Sequence, residues 1–260
     1  MATRSILGMR TILTGASSGI GLALARLLAK RGARLVLSAR REQRLAKLVE
    51  ELKQAGGEAI VVAGDITADE VRRQLIETAK EQFGGLDCLI NNAGMGGIGN
   101  FMDNDEARLR RIMEVNFFAP LELTRLAVPE LKRGSKPILV NVASVLGHRA
   151  VPKKSEYCAS KFALHGFSDS LRSELAPEGI DVLIVNPSTT DTEFFDAAMG
   201  DKRLLPWLAK GQSPEAVARA ALRAVERGKH DIILTAGGKG MVWFDRLMPT
   251  ITDNLVTKYG

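Results

Sequence analysis

The sequence is poor in the residues that build disulfide frameworks and metal clusters. Two cysteines among 260 residues, Cys88 and Cys158, exclude a disulfide scaffold and a four-cysteine metal site. Three histidines, His148, His165 and His230, are scattered without metal-ligand spacing, so the sequence predicts no metal centre. We interpret both cysteines as reduced, packed thiols of a cytoplasmic protein.

Long apolar runs and blocks of one charge are also missing. No stretch approaches the roughly 18–20 apolar residues of a membrane span, and residues 1–10 lack the apolar run of a secretory signal. The net charge is +6, from 36 basic and 30 acidic residues. No basic cluster is interleaved with aromatic residues, so we expect an anionic ligand rather than a nucleic-acid partner.

Short Val/Ile/Leu-rich runs alternate with amphipathic segments about seven times along the chain. Continuous apolar strands of this kind are covered on both faces, which indicates a parallel sheet. The sequence therefore predicts an α/β fold, a Rossmann-type doubly wound parallel sheet of about seven strands with helices on both faces. One domain over residues 1–260 is expected, since no Ser/Pro-rich linker interrupts the pattern.

Two segments need separate interpretation. A long helix is predicted over residues 106–131, bent or ended in part by Pro120 and Pro129. Residues 191–212 are longer than a normal connection, and they are either a substrate lid or a helical surface excursion. The lid interpretation depends on its apolar residues, which are Phe194, Phe195, Leu204, Leu205 and Trp207.

A glycine-rich loop follows the first predicted strand. Gly15 permits the turn, and Gly19 and Gly21 permit close approach of the backbone to a ligand. The next helix would direct its N-terminal amides at a pyrophosphate. The position of the loop favours a dinucleotide site over a glycine turn that serves packing alone.

The end of the second predicted strand distinguishes the two nicotinamide dinucleotides. An acidic residue there holds the ribose hydroxyls of NAD, and an arginine accommodates the 2′-phosphate of NADP. This sequence has no acid and places Arg40 and Arg41 there. NADP(H) is therefore expected in preference to NAD(H), the alternative being that both arginines begin a solvated helix.

Tyr157 and Lys161 lie four residues apart, on one face of a predicted helix. A neighbouring ammonium would lower the tyrosine pKa, so that the phenol could transfer a proton near neutral pH. Ser144 stands thirteen residues before Tyr157, at a strand end where a ligand site is expected.

With these motifs the chain resembles the short-chain dehydrogenase/reductase family over nearly its whole length. The ordered motifs are the loop 14–21, Asp65, residues 91–94, Asn116, Ser144, Tyr157, Lys161 and residues 186–187. The family's usual glycine after the Asn-Pro pair is Ser188 here, which leaves the detail of the nicotinamide loop open.

The resemblance implies a role for each motif residue. Tyr157 would be the general acid in carbonyl reduction and the base in alcohol oxidation, and Ser144 would bond the substrate oxygen. Lys161 would hold the nicotinamide ribose, and Asn116 would hold a water that connects Lys161 to solvent. The residues expected at the cofactor are Gly15, Ser17, Ser18, Gly19, Ile20, Gly21, Arg40, Arg41, Asp65, Ile66, Asn92, Ala93, Gly94, Tyr157, Lys161, Pro187, Thr190 and Thr192. Those expected at the substrate are Ser144, Val145, Leu146, His148 and Tyr157.

The C-terminal segment 239–260 resembles the tails of members that reduce hydrophobic ketones, such as hydroxysteroid dehydrogenases and lipid carbonyl reductases. It is expected to pack on the domain or on another subunit of a homodimer or homotetramer, with peripheral membrane contact as the alternative. Two other functions stay open: a 3-oxoacyl-thioester reductase, and a dinucleotide-binding regulator without catalysis.

Overall fold

The computed structural model describes residues 3–194, 198–200 and 211–259. In these ranges seven parallel strands form one sheet. The strands are β1 (Arg10–Thr14), β2 (Arg34–Ala39), β3 (Glu58–Ala63), β4 (Cys88–Asn91), β5 (Ile138–Val142), β6 (Asp181–Asn186) and β7 (Asp231–Ile233). The helices are α1 (Gly19–Lys30), α2 (Glu42–Gln54), α3 (Asp69–Phe83), α4 (Glu106–Met113), α5 (Ala119–Leu131), α6 (Ser155–Leu175), α7 (Pro214–Glu226), α8 (Ala236–Leu247) and α9 (Pro249–Tyr259).

The strand order is β3-β2-β1-β4-β5-β6-β7, so the chain winds outward in both directions from β1. Neighbouring residues of β1 point to opposite faces of the sheet. Leu13 packs in the core beneath α1, α2 and α7, and Ile12 packs in the core beneath α3 and α5. The predicted doubly wound parallel sheet is confirmed, and it places the ligand crevice beyond the carboxyl ends of β1 and β4.

The predicted long helix is interrupted rather than simply bent. A π-helical turn, Glu114–Phe118, separates α4 from α5. Pro120 lies in the first turn of α5, where its missing amide hydrogen costs little. Pro129 lies inside α5, which ends two residues later at Leu131. The turn carries the fully buried Asn116, so the irregular backbone is located at the candidate site.

Both cysteines are buried free thiols, as expected from the sequence. Burial raises the pKa of Cys88 to about 12, and it raises the pKa of Cys158 as well. Both side chains are therefore neutral and pack as small apolar groups.

The C-terminal segment forms α8 and α9. Gly238 and Val242 of α8 are buried, while a row of apolar side chains stays exposed: Trp243, Phe244, Leu247, Met248, Ile251 and Leu255. Arg149 fastens both helices, because its two terminal nitrogens bond Asp245 Oδ1 at 2.8 Å and Asp253 Oδ1 at 2.7 Å. Within the described ranges, no helix combines the length and apolar composition needed to cross a membrane.

The two ends of the expected lid are joined at their base. The Asp191 amide donates to the carbonyl oxygen of Gln212 at 3.0 Å, and the Gly211 amide donates to Asp191 Oδ1 at 3.0 Å. Of the apolar residues on which the lid interpretation depends, Phe194 is described. The others, Phe195, Leu204, Leu205 and Trp207, lie outside the described residues.

Candidate active site

A cavity of about 520 Å³ follows the carboxyl edge of the sheet. Every residue expected at the cofactor lines this cavity, and so do Ser144, Val145 and Leu146. Two expected site residues, Asn116 and His148, are not part of its lining. The carboxyl-terminal strand edge therefore gathers motifs that are up to 177 residues apart, from Gly15 to Thr192.

The glycine loop meets the cavity with bare backbone. Gly15 and Gly19 have φ of 69° and 53°, in the left-handed region that favours glycine. A Cβ on Gly21 would lie 2.2 Å from the carbonyl oxygen of Gly15, so any side chain there would displace the loop. Asn92 Nδ2 holds the loop by donating to the carbonyl oxygens of Thr14 and Gly15 at 3.0 and 3.3 Å. No acidic residue occupies the first turn of α1, which leaves the positive end of the helix available to an anion.

Arg41 spans the outer end of the cavity. Its Nε and Nη2 donate to the hydroxyls of Ser17 and Ser18 at 3.2 and 2.6 Å. Its Nη1 donates to Glu193 Oε2 at 2.7 Å, and Arg44 donates to the same carboxylate at 2.8 Å. These two guanidiniums lower the pKa of Glu193. Two guanidinium groups thus converge on one carboxylate beside the loop, and the hydroxyls of Ser17 and Ser18 hold one of the two in place.

Asp65 forms a second polar cluster at the same end. Arg111 pairs with Asp65 Oδ2, and Arg111 Nη1 donates to Thr67 Oγ1 at 3.1 Å. Burial opposes ionisation of Asp65, but the hydrogen bonds from Thr67 and Arg111 outweigh it and lower its pKa. Arg111 also lines the cavity. No sequence motif singled it out, because its contact with Asp65 joins two elements that are separate in the sequence, α4 and the end of β3.

Tyr157, Ser144 and Lys161 meet at the inner end of the cavity. The Tyr157 and Ser144 side chains are hydrogen-bonded, and the Ser144 hydroxyl also accepts from the Leu146 amide at 3.1 Å. Lys161 is 4% exposed, and its Nζ donates to the Val142 carbonyl oxygen at 3.0 Å.

The expected lowering of the tyrosine pKa is wrong for the ligand-free protein. Burial raises the pKa of Tyr157 to about 12, and the hydrogen bond with Ser144 only partly opposes this. Lys161 Nζ stands 5.8 Å from the Tyr157 ring centroid and bonds elsewhere. Burial also lowers the pKa of Lys161 to about 8, so its charge is itself disfavoured in this site.

The Asn116 side chain supports the inner end of the cavity through hydrogen bonds to Met95 and Ser160. Its Oδ1 accepts from the Met95 amide at 2.8 Å, and its Nδ2 donates to the Met95 carbonyl oxygen and to Ser160 Oγ, both at 2.9 Å. The amide group is thereby bonded on both sides to protein atoms. The expected water would need a partner other than this side chain.

The segment after β6 closes the cavity opposite the glycine loop. The Pro187 carbonyl oxygen accepts from the Val145 amide at 3.0 Å, which links the segment to the loop that carries Ser144. Ser188 does not take a positive φ, so serine is accommodated there without left-handed backbone. Thr192 lies against Gly19, where an added Cβ would meet its methyl carbon at 2.9 Å.

The space beyond Tyr157 is mostly apolar. The Phe194 ring meets the Tyr157 ring edge-on, with centroids 5.7 Å apart. Residues that sequence reasoning missed complete this wall: Met95, Ile98, Val115, Val151, Lys154 and Met241. They come from loops, the short strand 97–98, the π-helical turn and α8, and local sequence patterns carry no signal for that assembly. The His148 side chain instead packs against His165, with ring centroids 4.2 Å apart, so the structure does not bring it into this space.

Residues 10–202 match the family described as short chain dehydrogenase. An uncharacterized oxidoreductase of Bacillus subtilis, YxnA, is 38% identical over 252 residues, which cover 95% of this chain and 71% of that protein. The ketoacyl reductase HetN of Nostoc is 32% identical over 263 residues, 98% of this chain and 91% of that protein. An 11-beta-hydroxysteroid dehydrogenase-like protein 4A of Arabidopsis thaliana is 33% identical over 247 residues, 94% of this chain and 82% of that protein.

A solved structure supports the fold. The short chain dehydrogenase/reductase of Burkholderia phymatum in complex with NAD superimposes with a TM-score of 0.86 and covers 95% of this chain and 96% of its own, at 24% identity. At that identity the likeness concerns the fold alone. From the family match and the identity to its relatives, this chain belongs to the short-chain dehydrogenase/reductase family, whose members are oxidoreductases of C=O and CH–OH groups that use NAD(P)(H).

Proposed function

We propose that the protein is an NADP(H)-dependent oxidoreductase that interconverts a hydrophobic ketone or aldehyde and the corresponding alcohol. One observation carries the proposal. Tyr157, Ser144 and Lys161 converge at one end of a cavity whose other end holds the glycine loop and Arg41. A protein that only bound a dinucleotide would not need a phenol and a buried ammonium at the inner end.

The residues fit the dinucleotide physically. A Cβ on Gly21 would collide with the Gly15 carbonyl oxygen, so glycine is needed for the loop to fold this closely. The Gly15–Gly21 backbone and the start of α1 would then contact a pyrophosphate. Asp65, Ile66, Asn92, Ala93 and Gly94 would hold the adenosine side, and Pro187, Thr190 and Thr192 the nicotinamide side. A bound nicotinamide dinucleotide supplies or accepts the hydride. The protein supplies orientation and a proton.

Two arginines support NADP(H) over NAD(H). Arg40 and Arg41 both line the outer end of the cavity, and Arg41 is held there by Ser17 and Ser18. Glu193 of the same chain pairs with the Arg41 guanidinium, so this position accommodates a carboxylate. A 2′-phosphate offers the same chemistry with more charge. The NAD of the Burkholderia structure belongs to that protein and does not decide the preference here.

Tyr157 would act as the general acid of carbonyl reduction. With its pKa raised to about 12, the phenol is protonated at neutral pH, which is the form that a general acid requires. Ser144, bonded to the same phenol, would hold that oxygen. Lys161, whose pKa is lowered to about 8, would hold the nicotinamide ribose and would return a proton towards Tyr157. Asn116 fixes the backbone of Met95 beside them.

The lining around Tyr157 indicates the substrate class. Val145, Leu146, Phe194 and Met241 offer apolar surface next to the reacting groups. A steroid-, retinoid- or acyl-like carbonyl would bury such surface. The similarity to HetN keeps a 3-oxoacyl thioester as the second candidate.

We also propose a single-domain subunit whose segments 191–212 and 239–260 act as lid and C-terminal tail. Exposed Phe118 and Phe162, near the start of α5 and on α6, supply apolar surface for a homodimer or homotetramer. Buried free thiols suit a reducing compartment such as the cytoplasm. Light scattering of the purified chain tests the assembly, because a monomer would contradict it.

The enhancement of nicotinamide fluorescence on binding tests the cofactor. NADPH and NADH are titrated into the wild type, Arg40→Ala and Arg41→Ala, with Arg26→Ala as control because Arg26 pairs with Glu51 on the surface. NADPH should bind more tightly than NADH, and only the first two variants should lose this preference. Equal binding of both dinucleotides would overturn the NADP(H) assignment. A screen of apolar ketones, aldehydes and 3-oxoacyl thioesters with NADPH then tests the activity, and turnover of none would contradict it.

A further inference from the structure

Two of the three histidines, His148 and His165, lie close to the carboxylate of Asp231, and none of these three residues lines the dinucleotide cavity. His148 follows the loop after β5, His165 lies on α6, and Asp231 begins β7. One ligand atom from each residue lies within 4.8 Å of the other two. The side chains of His148 and His165 are 5% and 13% exposed, and that of Asp231 is 38% exposed. The cluster is thus closed on the protein side and open to solvent at the carboxylate.

The nitrogen atoms that face the carboxylate lack hydrogen bonds. His165 Nε2 stands 3.5 Å from Asp231 Oδ2, and His148 Nε2 stands 4.0 Å from the same oxygen. Within the described part of the chain, neither Nε2 has a hydrogen-bond partner of normal geometry, although both atoms are buried. Buried polar atoms without partners are uncommon and need a physical explanation.

The far side of His165 determines which nitrogen presents a lone pair. His165 Nδ1 lies 3.4 Å from Asp169 Oδ2, one helical turn further along α6. When Nδ1 carries the proton and directs it at Asp169, the Nε2 lone pair faces Asp231 across the position where a cation would bind. A carboxylate behind an imidazole is also the arrangement that orients histidine ligands in metal sites.

A hydrogen bond also orients the Asp231 carboxylate. Its Oδ1 accepts from Asn186 Nδ2 at 2.6 Å, which leaves Oδ2 directed at the two imidazoles. The other charged groups near the cluster are Arg172, which acts on Asp231 and pairs with Asp169, and Arg246, which acts on His148.

We propose that His148, His165 and Asp231 form a binding site for one divalent transition metal of the Zn²⁺ type. Imidazole nitrogen and carboxylate oxygen are ligands that Zn²⁺ accepts, and three protein ligands with water as the fourth complete a tetrahedron. Bonds of about 2.0–2.1 Å would place neighbouring ligand atoms about 3.3 Å apart. The present separations of 3.5 and 4.0 Å require small rotations of the imidazoles and of the half-exposed carboxylate.

A metal there would join three elements that carry the catalytic residues or flank them. His148 lies four residues after Ser144, and His165 lies one turn of α6 beyond Lys161. The metal would therefore fasten the loop of Ser144 to α6 and to the edge strand β7. Occupancy would raise the thermal stability of the folded protein with the logarithm of the metal concentration once the site is saturated.

A competition titration tests the site directly. Chelator-treated protein competes with a chromophoric chelator for Zn²⁺, and Co²⁺ provides a visible spectrum that reports tetrahedral coordination. The wild type should bind one equivalent. His165→Gln and Asp231→Asn should each weaken binding by at least about tenfold, and Asp169→Asn, which removes the supporting carboxylate, by about tenfold.

His230→Gln is the matched control, because His230 is exposed and adjoins Asp231 in sequence. It should bind as the wild type does. Two independent ligand variants keep the test valid if one fails to fold, which far-ultraviolet circular dichroism and dinucleotide titration report. Zn²⁺ affinities of the folded ligand variants that equal the wild-type affinity would overturn the proposal, as would an equal loss in His230→Gln. The binding readout does not depend on the proposed oxidoreductase activity.

Discussion

The Arg41 guanidinium bonds the Glu193 carboxylate through Nη1 and Oε2 at 2.7 Å, and this contact links the end of β2 to the segment after β6. Glu193 also binds Arg44, so one carboxylate engages two cations beside the glycine loop. An incoming 2′-phosphate would have to displace this carboxylate or share its partners.

Glu193→Gln should therefore strengthen NADPH binding and leave NADH binding unchanged. Exposed ion pairs are weak, so a two- to fivefold decrease in the NADPH dissociation constant is expected. Side-by-side fluorescence titrations measure it, and Glu51→Gln, which removes a surface partner of Arg26, is the control. Weaker NADPH binding in Glu193→Gln would mean that the carboxylate orients Arg41 instead of competing with the phosphate.

Tyr157→Phe should abolish proton donation without removing the binding surface. General acid catalysis contributes about 10²–10⁴-fold, so kcat for carbonyl reduction should fall by that factor. NADPH affinity should change less than threefold, because the ring that meets Phe194 is kept. Steady-state kinetics decide the matter, with Tyr259→Phe as control. If Tyr157→Phe lost turnover but kept the full biological effect of the wild type, the result would favour a dinucleotide-binding regulator without catalysis.

Lys161→Met should stabilise the ligand-free protein at neutral pH. Burial lowers the folded-state pKa of Lys161 from 10.5 to about 8, so between these values the unfolded chain binds more protons than the folded one. The contribution of Lys161 to stability therefore rises with pH across this window and is least favourable below pH 8. The advantage of Lys161→Met in free energy of unfolding should shrink by up to about 3 kcal/mol from pH 7 to pH 10.

Urea unfolding of both proteins at the two pH values measures this difference, in which the other titrating groups cancel. An advantage independent of pH would show that the folded-state pKa of Lys161 stays near that of the unfolded chain, as for a well-hydrated ammonium. The variant should also lose catalysis, which separates the stability of the site from its activity.

Ser168→Ala should destabilise the fold. Asn91 Nδ2 donates to Asn141 Oδ1 at 2.9 Å, and Asn141 Nδ2 donates to Ser168 Oγ at 2.8 Å, so a buried chain of hydrogen bonds crosses from β4 through β5 to α6. Removal of the hydroxyl leaves the Asn141 amide without its partner, at a cost of about 1–3 kcal/mol. Urea melts compare it with Ser173→Ala, an exposed serine of the same helix. Equal midpoints for both variants would contradict the prediction.

Local patterns predicted most of the scaffold. The alternation of about seven apolar strands with amphipathic helices agrees with the sequence analysis, because buried apolar runs and amphipathic periods are properties of the segment itself. The two-residue strands 97–98 and 199–200 escaped it, since so short a pairing has no period. The π-helical turn escaped it as well, because the position of Asn116 against Met95 and Ser160 depends on contacts between elements.

The candidate site divides in the same way. The glycine loop, Arg41 and Ser144 were predicted from motifs at strand ends, and Tyr157 and Lys161 from their spacing of four residues in α6. Arg111 was missed because only the folded chain brings it to Asp65. The pKa of Tyr157 was predicted in the wrong direction, because helical spacing gives the distance to Lys161 but not the burial of the phenol.

Arg149 couples the C-terminal helices to the cavity. It holds Asp245 in α8 and Asp253 in α9, and α8 also provides Gly237, Gly238 and Met241 to the cavity wall. Docking of the tail and filling of the cavity therefore share one coupling free energy, which is the same in both directions. A surface or a second subunit that displaces the tail would therefore weaken ligand binding. The factor would equal the one by which bound ligand strengthens docking of the tail.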